Sequence, residues 1–340
     1  MSNTARQFAD ADSEAWDAFV DTRPEASLYH RRSWAKVVAE SFGFREQSLV
    51  ALRDGAIVGV LPLWRVGRRL TSNAPWRDRA RPLAVDADAL NTIAVAVARH
   101  GGSLVLKDWP EALPLDGTFR RERYWVTSVL DLTQPSDQLW ATVNRAVGRN
   151  IRKAESLGVV VSQSRDSAAL DRFYHLFCHA RRDIGVPIYP RHMFESMARN
   201  LAEGEFDIVI AEHGGRPVAG AVFLGTATET IYGYGGSIPE AGPLRAMDLL
   251  MWHAIRHSQT LGRTRFDFGA DSPDQESLLR FKAKWGATQR QIPWAVTSVQ
   301  PSAASGNPAG RRYALLRGLL RRLPVLALRL AGHLVVRSRG

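Results

Sequence analysis

Two stretches far apart in the chain have the same form. Leu49–Leu63 reads LVALRDGAIVGVLPL, and Ile208–Leu224 reads IVIAEHGGRPVAGAVFL. Each is an apolar run, a tight turn at glycine, and a returning run with a glycine in its middle, Gly59 or Gly220. Asp54-Gly55 between apolar runs is a strong hairpin signal. A glycine inside a strand marks a bulge or a point where a ligand or another backbone comes close. Taken singly, these are two ordinary hairpins. Taken together they predict a duplicated α/β lobe, and 340 residues are enough for two such domains.

The flanking periodicities repeat the same grammar. Residues 13–43 read as helices carrying Trp16, Phe19, Val20, Trp34, Val37 and Val38, and Leu90–His100 as another, with strands at Leu104–Leu106 and Trp125–Leu132. In the second half, Asp137–Leu157, Ala168–Arg182, Arg191–Glu203 and Leu244–Leu261 read as helices. Strands follow at Val159–Ser162, Asp207–Glu212, Pro217–Leu224, Thr230–Gly235 and Arg265–Gly269. The expected fold is α/β (α+β), with two tandem lobes of mixed central sheets and flanking helices over residues 1–130 and 131–300.

Residues 301–340 form a third segment, a basic amphipathic tail. It holds eight arginines and no Asp or Glu; without those eight, the net charge of +11 falls to +3 for residues 1–300. A basic end of this kind seeks phosphates on lipid, RNA or a nucleotide-linked substrate. Leu315, Leu316, Leu319, Leu320 and Leu323 share one helical side. That predicts either a membrane-surface or partner-docking segment over residues 311–340, or a helix packed on the body. No apolar run reaches the length of about eighteen residues needed to span a bilayer, and the N-terminus lacks a secretory stretch. The expected location is cytoplasmic, peripheral at the inner membrane. The single cysteine, Cys178, excludes an internal disulfide and any cysteine-based zinc site, and reads as a packed thiol. No His/Cys metal cluster, Gly-x-Ser-x-Gly or Walker loop is present, so no metal is expected.

Three segments in order, NRAVGRNIRKAESLGV (Asn144–Val159), RRDIGVPIY (Arg181–Tyr189) and RFDFGADSPDQESLLRFKAKWGA (Arg265–Ala287), resemble the FemAB-like family of GNAT-type acyltransferases. The resemblance is narrower to its exosortase/PEP-CTERM, exopolysaccharide-associated branch. A related BioF2-like or CelD-like acetyltransferase domain corresponds to most of residues 130–290. This resemblance makes both predicted lobes GNAT-like. It implies transfer of an acyl group from acyl-CoA, or of an aminoacyl group from aminoacyl-tRNA, to an amine on a cell-envelope or exopolysaccharide precursor. Two departures touch expected substrate contacts: Ala270-Asp271 replaces the usual Arg-Ser, and Trp76–Pro82 replaces a Tyr-Gly-Gly segment.

Acyl transfer to an amine requires an aimed, deprotonated amine and a stabilised oxyanion. The resemblance assigns Lys282 to the oxyanion and Phe281 to stacking on the donor's terminal adenine, with Trp285 beside them. Base stacking on such a ring contributes about 1–3 kcal/mol. On residue type alone, Lys282 reads as a solvated lysine and Phe281 as core. Arg149, Arg152 and Lys153 share a helix face that suits a pyrophosphate or an RNA backbone, or is an ordinary basic face. Tyr232 and Tyr234 alternate with glycines, which puts both on one strand face, lining an acceptor channel or in the core. Arg182 and Asp183 flank the same expected acceptor site. Asp183 suits a turn, and Gly185 a left-handed helix stop. Asp271 is the candidate general base, which requires burial to raise its pKa. The segment Gly235–Pro243 contains glycines but not the usual cofactor loop before a helix. Two other classes fit the composition: a non-catalytic scaffold that docks polysaccharide or exosortase machinery at the membrane surface, and an RNA-binding protein.

Overall fold

The computed structural model describes residues 3–73, 79–100, 102–110, 113, 119–297, 317–318 and 320–338, with the backbone alone at 122–124 and 333–338. Trp76–Asp78, Arg311, Arg312, Leu315, Leu316 and Leu319 lie outside these described residues. The chain divides into two compact units. The first takes the described residues up to Trp125, those from Gln291 to Thr297 and those beyond His333; the second takes Val126–Arg290 and those from Arg317 to His333. Of the expected tail, the described residues from Arg317 to His333 are grouped with the second unit and those beyond His333 with the first.

The first unit contains β1 (Thr4–Gln7), α1 (Ser13–Asp21), α2 (Arg32–Phe42), β2 (Arg45–Glu46), β3 (Leu49–Arg53), β4 (Ala56–Leu61), β5 (Leu63–Val66), β6 (Arg69–Ser72), β7 (Leu83–Ala84), α3 (Ala87–Ala98), β8 (Ser103–Lys107) and the start of β9 (Phe119–Asp131). β1, β3, β4 and β7 form one antiparallel sheet. Alternation along β3 and β4 sends Val50 and Val60 to α1, which buries Trp16, Phe19 and Val20 at helical spacing. Ala51 and Leu61 face α3, which buries Ala89, Ile93 and Val97. The Asp86 carboxylate caps α3 by accepting from Ala89 N at 2.9 Å.

The second unit continues with α4 (Ser136–Thr142), α5 (Arg145–Ser156), β10 (Val159–Ser164), α6 (Ser167–Ile184), α7 (Arg191–Asn200), β11 (Phe206–His213), β12 (Arg216–Gly225), β13 (Glu229–Ser237), α8 (Ala241–Leu244), α9 (Ala246–Thr260), β14 (Arg265–Asp271) and α10 (Glu276–Ala283). β15 (Thr288–Thr297) follows, and α11 spans Val325–Ser338. Its sheet runs β10-β11-β12-β13-β14-β9 and is antiparallel apart from the parallel pair β13–β14. Val209, Ala211, Ala221 and Phe223 join a core with Leu250, Ile255 and Trp285. The opposite face meets α6, where Phe173 and Leu176 stand over Gly220.

The duplication shows at the level of single residues. In β3–β4 the register jumps from Ala51↔Gly59 to Leu52↔Ile57, which leaves Val58 as a bulge. In β11–β12 it jumps from Ala211↔Ala219 to Glu212↔Pro217, which leaves Val218 as a bulge. Both bulges fall at the third residue of the returning strand. Both mid-strand glycines admit a helix. A Cβ on Gly59 would stand 2.9 Å from Ile93 Cδ1, and one on Gly220 would stand 3.2 Å from Leu176 Cδ1.

Candidate active site

The parallel strands β13 and β14 pair over only three residues, Glu229–Ile231 with Arg265–Asp267. Beyond that point β14 stays on β9 (Ala270↔Thr127, Asp271↔Val126), while β13 follows β12. The strands separate at their carboxyl ends, where an open sheet leaves backbone groups free to meet a ligand.

A bulge shapes this end of β14. Between Asp267↔Val129 and Ala270↔Thr127 one extra residue is inserted, and Gly269 takes φ +78°. Asp267, fully buried, clamps it by accepting from Gly269 N at 2.7 Å and Thr127 Oγ1 at 2.5 Å. Asp267 thus holds the backbone. The Gly269 carbonyl is turned toward α10, where it accepts from Lys282 Nζ at 2.5 Å. Asp271 Oδ2 lies 2.6 Å from the same ammonium. Lys282 is 7% exposed and Asp271 8%, and Lys282 is the one buried residue of α10. The lysine is therefore an interior group, not the solvated one its residue type suggests.

Tyr232 completes the cluster. Its hydroxyl lies against the α-carbon of Gly235, where a Cβ would overlap it. Burial, with the negative charge of Asp271 added, pushes the Tyr232 hydroxyl up to about 12.

The structure corrects the tyrosine reading. Between Val222↔Tyr234 and Phe223↔Tyr232 the register skips Gly233, and this bulge reverses the alternation. Tyr232 packs on Phe223 in the core shared with Trp285. Tyr234 is buried on the other side, 5.0 Å from Phe194 and 5.7 Å from Tyr189, with its hydroxyl directed to Met193 Sδ. Tyr234 is a core residue. Trp285 is fully buried too, so it packs behind Phe281 (centroids 6.5 Å) and offers no face to a donor. Phe281 is half-buried against the same core. Arg182 pairs with Asp183 at 3.4 Å on the outer end of α6, which Gly185 stops at φ +69°. Arg149, Arg152 and Lys153 are exposed on the outer face of α5.

Other cations mark the start of α9, and the sequence reading did not single them out. Arg245, the N-cap, takes φ +56°. The Asp248 carboxyl in the first turn is pushed up by burial, against the hydrogen bond from Asn150 (2.8 Å) and the charges of Arg245 and Lys284. Cations beside a helix N-terminus suit a phosphate-bearing ligand. Arg245 is absent from any glycine-loop pattern, so only its placement reveals it. A groove in the first unit, lined by Arg6, Asn91, Arg99 and His100, shares no residue with this cluster.

Residues 142–282 match the model of an acetyltransferase (GNAT) domain. No curated protein matches the chain by sequence. Among solved structures, FemX superposes with a TM-score of 0.64 at 16% identity, over 85% of this chain and 96% of that one. A C-terminal domain described as that of a lysylphosphatidylglycerol synthetase from Agrobacterium fabrum gives 0.58 at 14% identity, over 84% and 91%. A tandem GNAT protein from the clavulanic acid biosynthesis pathway gives 0.51 at 13% identity, over 88% and 100%. At these identities the likenesses establish the fold, which is the expected α/β tandem. Within the second unit, residues 142–282 match a GNAT acetyltransferase domain, and the activity that this supports is that of an N-acyltransferase.

Proposed function

We propose that the protein moves an acyl or aminoacyl group to an amine on a cell-envelope or exopolysaccharide precursor, with Lys282 and Asp271 as the reacting pair. The observation that carries this reading is the buried Lys282–Asp271 contact at 2.6 Å, at the separating ends of β13 and β14. FemX and the lysylphosphatidylglycerol synthetase domain are similar in fold, which supports an acceptor at the cell envelope.

The donor, acyl-CoA or aminoacyl-tRNA, supplies an activated acyl carbon whose bond to sulfur or to ribose oxygen is broken in exchange for a bond to nitrogen. The residues present fit such a donor: Arg245 and Lys284 both act on Asp248 at the start of α9, where they can hold phosphate, and β13 and β14 pair with each other only as far as Ile231 and Asp267. Lys282 places a positive charge where negative charge develops on the acyl oxygen, in surroundings that exclude most water. Asp271 takes the proton that the attacking amine loses. The Tyr232 hydroxyl keeps its proton at neutral pH and can donate a hydrogen bond to the leaving atom. Asp267 and Thr127 act through the bulge, fixing the Gly269 carbonyl that orients Lys282. The protein would work in the cytoplasm, at the inner face of the membrane where such precursors are assembled.

Incubating the full chain with labelled acetyl-CoA or charged tRNA and envelope precursors tests the reading. Label should pass to an amine and should stop with Lys282→Ala. Full transfer by a folded Lys282→Ala variant would refute it. Salt-sensitive binding of any uncharged RNA, without transfer, would favour an RNA-binding protein.

A further inference from the structure

Within the second unit, the described residues from Arg317 to Gly332 are held by close contacts. Leu328 is fully buried, and its carbonyl accepts from Ile188 N at 3.3 Å. Gly332 backs onto the same residue so closely that a Cβ there would lie 1.8 Å from the Ile188 carbonyl oxygen. Gly185 meets the Arg317 carbonyl in the same way, with a Cβ falling 2.4 Å from its oxygen. The Arg329 guanidinium lies 5.4 Å over the Tyr174 ring.

A helix docked through one face ordinarily turns polar residues outward. Here two leucines face outward. Leu326 is 66% exposed and Leu330 is 62% exposed, one helical turn apart. Arg321 and Arg322 are exposed just before them. From residue 301 onward the chain has eight arginines and no carboxylate side chain. Exposed leucines with arginines and without acids match an anionic lipid surface: the leucines enter the headgroup–acyl boundary and the guanidinium groups reach phosphates. A second copy on this face would instead bring another acid-free, arginine-rich segment against the first, which like-charge repulsion opposes.

We propose that the outer face of α11, centred on Leu326 and Leu330, docks on an anionic membrane surface while the inner face stays packed on the body. The proposal is independent of the Lys282 chemistry.

Sedimentation of the full chain with phosphatidylglycerol–phosphatidylcholine vesicles, against phosphatidylcholine alone, provides the test. The protein should bind the anionic vesicles, lose binding as salt rises, and ignore the neutral ones. The double variant L326D/L330D should bind at least about tenfold more weakly. Arg321→Ala and Arg322→Ala should each weaken binding about fivefold. These side chains are exposed, so thermal melting should match wild type in every variant. Absence of binding to anionic vesicles at low salt, or undiminished binding by L326D/L330D, overturns the proposal. So does a wild-type dimer in solution that L326D/L330D converts to monomer, since the occupant is then a second copy. Transfer to a soluble acceptor is unaffected by these substitutions, so the two readings fail separately.

Discussion

The ammonium of Lys282 lies 2.6 Å from the carboxylate of Asp271, and both residues are buried. Such a pair is costly to break from one side, because the remaining charge stays in the interior without its partner. Lys282→Met should destabilise the fold by about 3–5 kcal/mol. Adding Asp271→Leu should restore most of that loss. Transfer activity should not follow: the rate should fall about 10²–10³-fold in the single variant and stay down in the double. Urea unfolding alongside label transfer separates the structural part of the pair from its chemical part.

Tyr232 and Gly235 form a second dependent pair. A Cβ at Gly235 would lie 1.7 Å from the Tyr232 hydroxyl oxygen and 2.7 Å from the ring carbon that bears it. Gly235→Ala should therefore displace the ring and cost about 1–3 kcal/mol. Tyr232→Phe in the same background should recover part of this, since only the hydroxyl clash is removed. Melting temperatures of the two single variants and the double variant check the coupling.

The duplicated hairpins were legible because they rest on local chemistry, glycine turns and period-two alternation. Their shared bulges at Val58 and Val218 were not, since a bulge depends on the partner strand. The same limit explains Tyr234. Alternation puts it beside Tyr232, and one inserted residue, Gly233, turns it into a core of Phe177, Phe194 and Tyr189. The candidate site was legible only through a resemblance. Nothing in QESLLRFKAKWG marks Lys282 as interior, because its partner is the Gly269 carbonyl, turned toward it by a bulge in a strand. Arg245 and Lys284 went unmarked because they converge on Asp248 only after folding.

His30 in the first unit sets an acid limit on stability. Its Nδ1 accepts from Ser27 N at 3.0 Å, and its Nε2 donates to the Arg81 carbonyl at 3.0 Å, an arrangement that suits the neutral ring. Burial lowers its pKa below the ordinary 6.5. A lowered histidine contributes stability that is present above about pH 6.5 and lost as pH falls through the folded-state value. Urea midpoints should drop from pH 8 to pH 5 in the wild type, and the slope should be shallower in His30→Asn. His100, His179 and His253 are also lowered by burial, though each is less enclosed, so some slope should remain.

Arg245 carries two properties that one substitution can pull apart. Its backbone is left-handed, φ +56°, which an L side chain adopts at a cost of about 1 kcal/mol. Its guanidinium is one of the charges acting on Asp248 at the start of α9. Arg245→Gly removes the strain and the charge together. If the charge only offsets Asp248, the glycine variant should be as stable as wild type or slightly more so, with an unchanged KM for the donor. If it holds donor phosphate, stability should still be kept while the donor KM rises several-fold and becomes less sensitive to salt. The second outcome is the expected one. Arg245→Lys should then recover part of the KM and give up any stability that the glycine gained, because it restores the charge and the backbone strain at once.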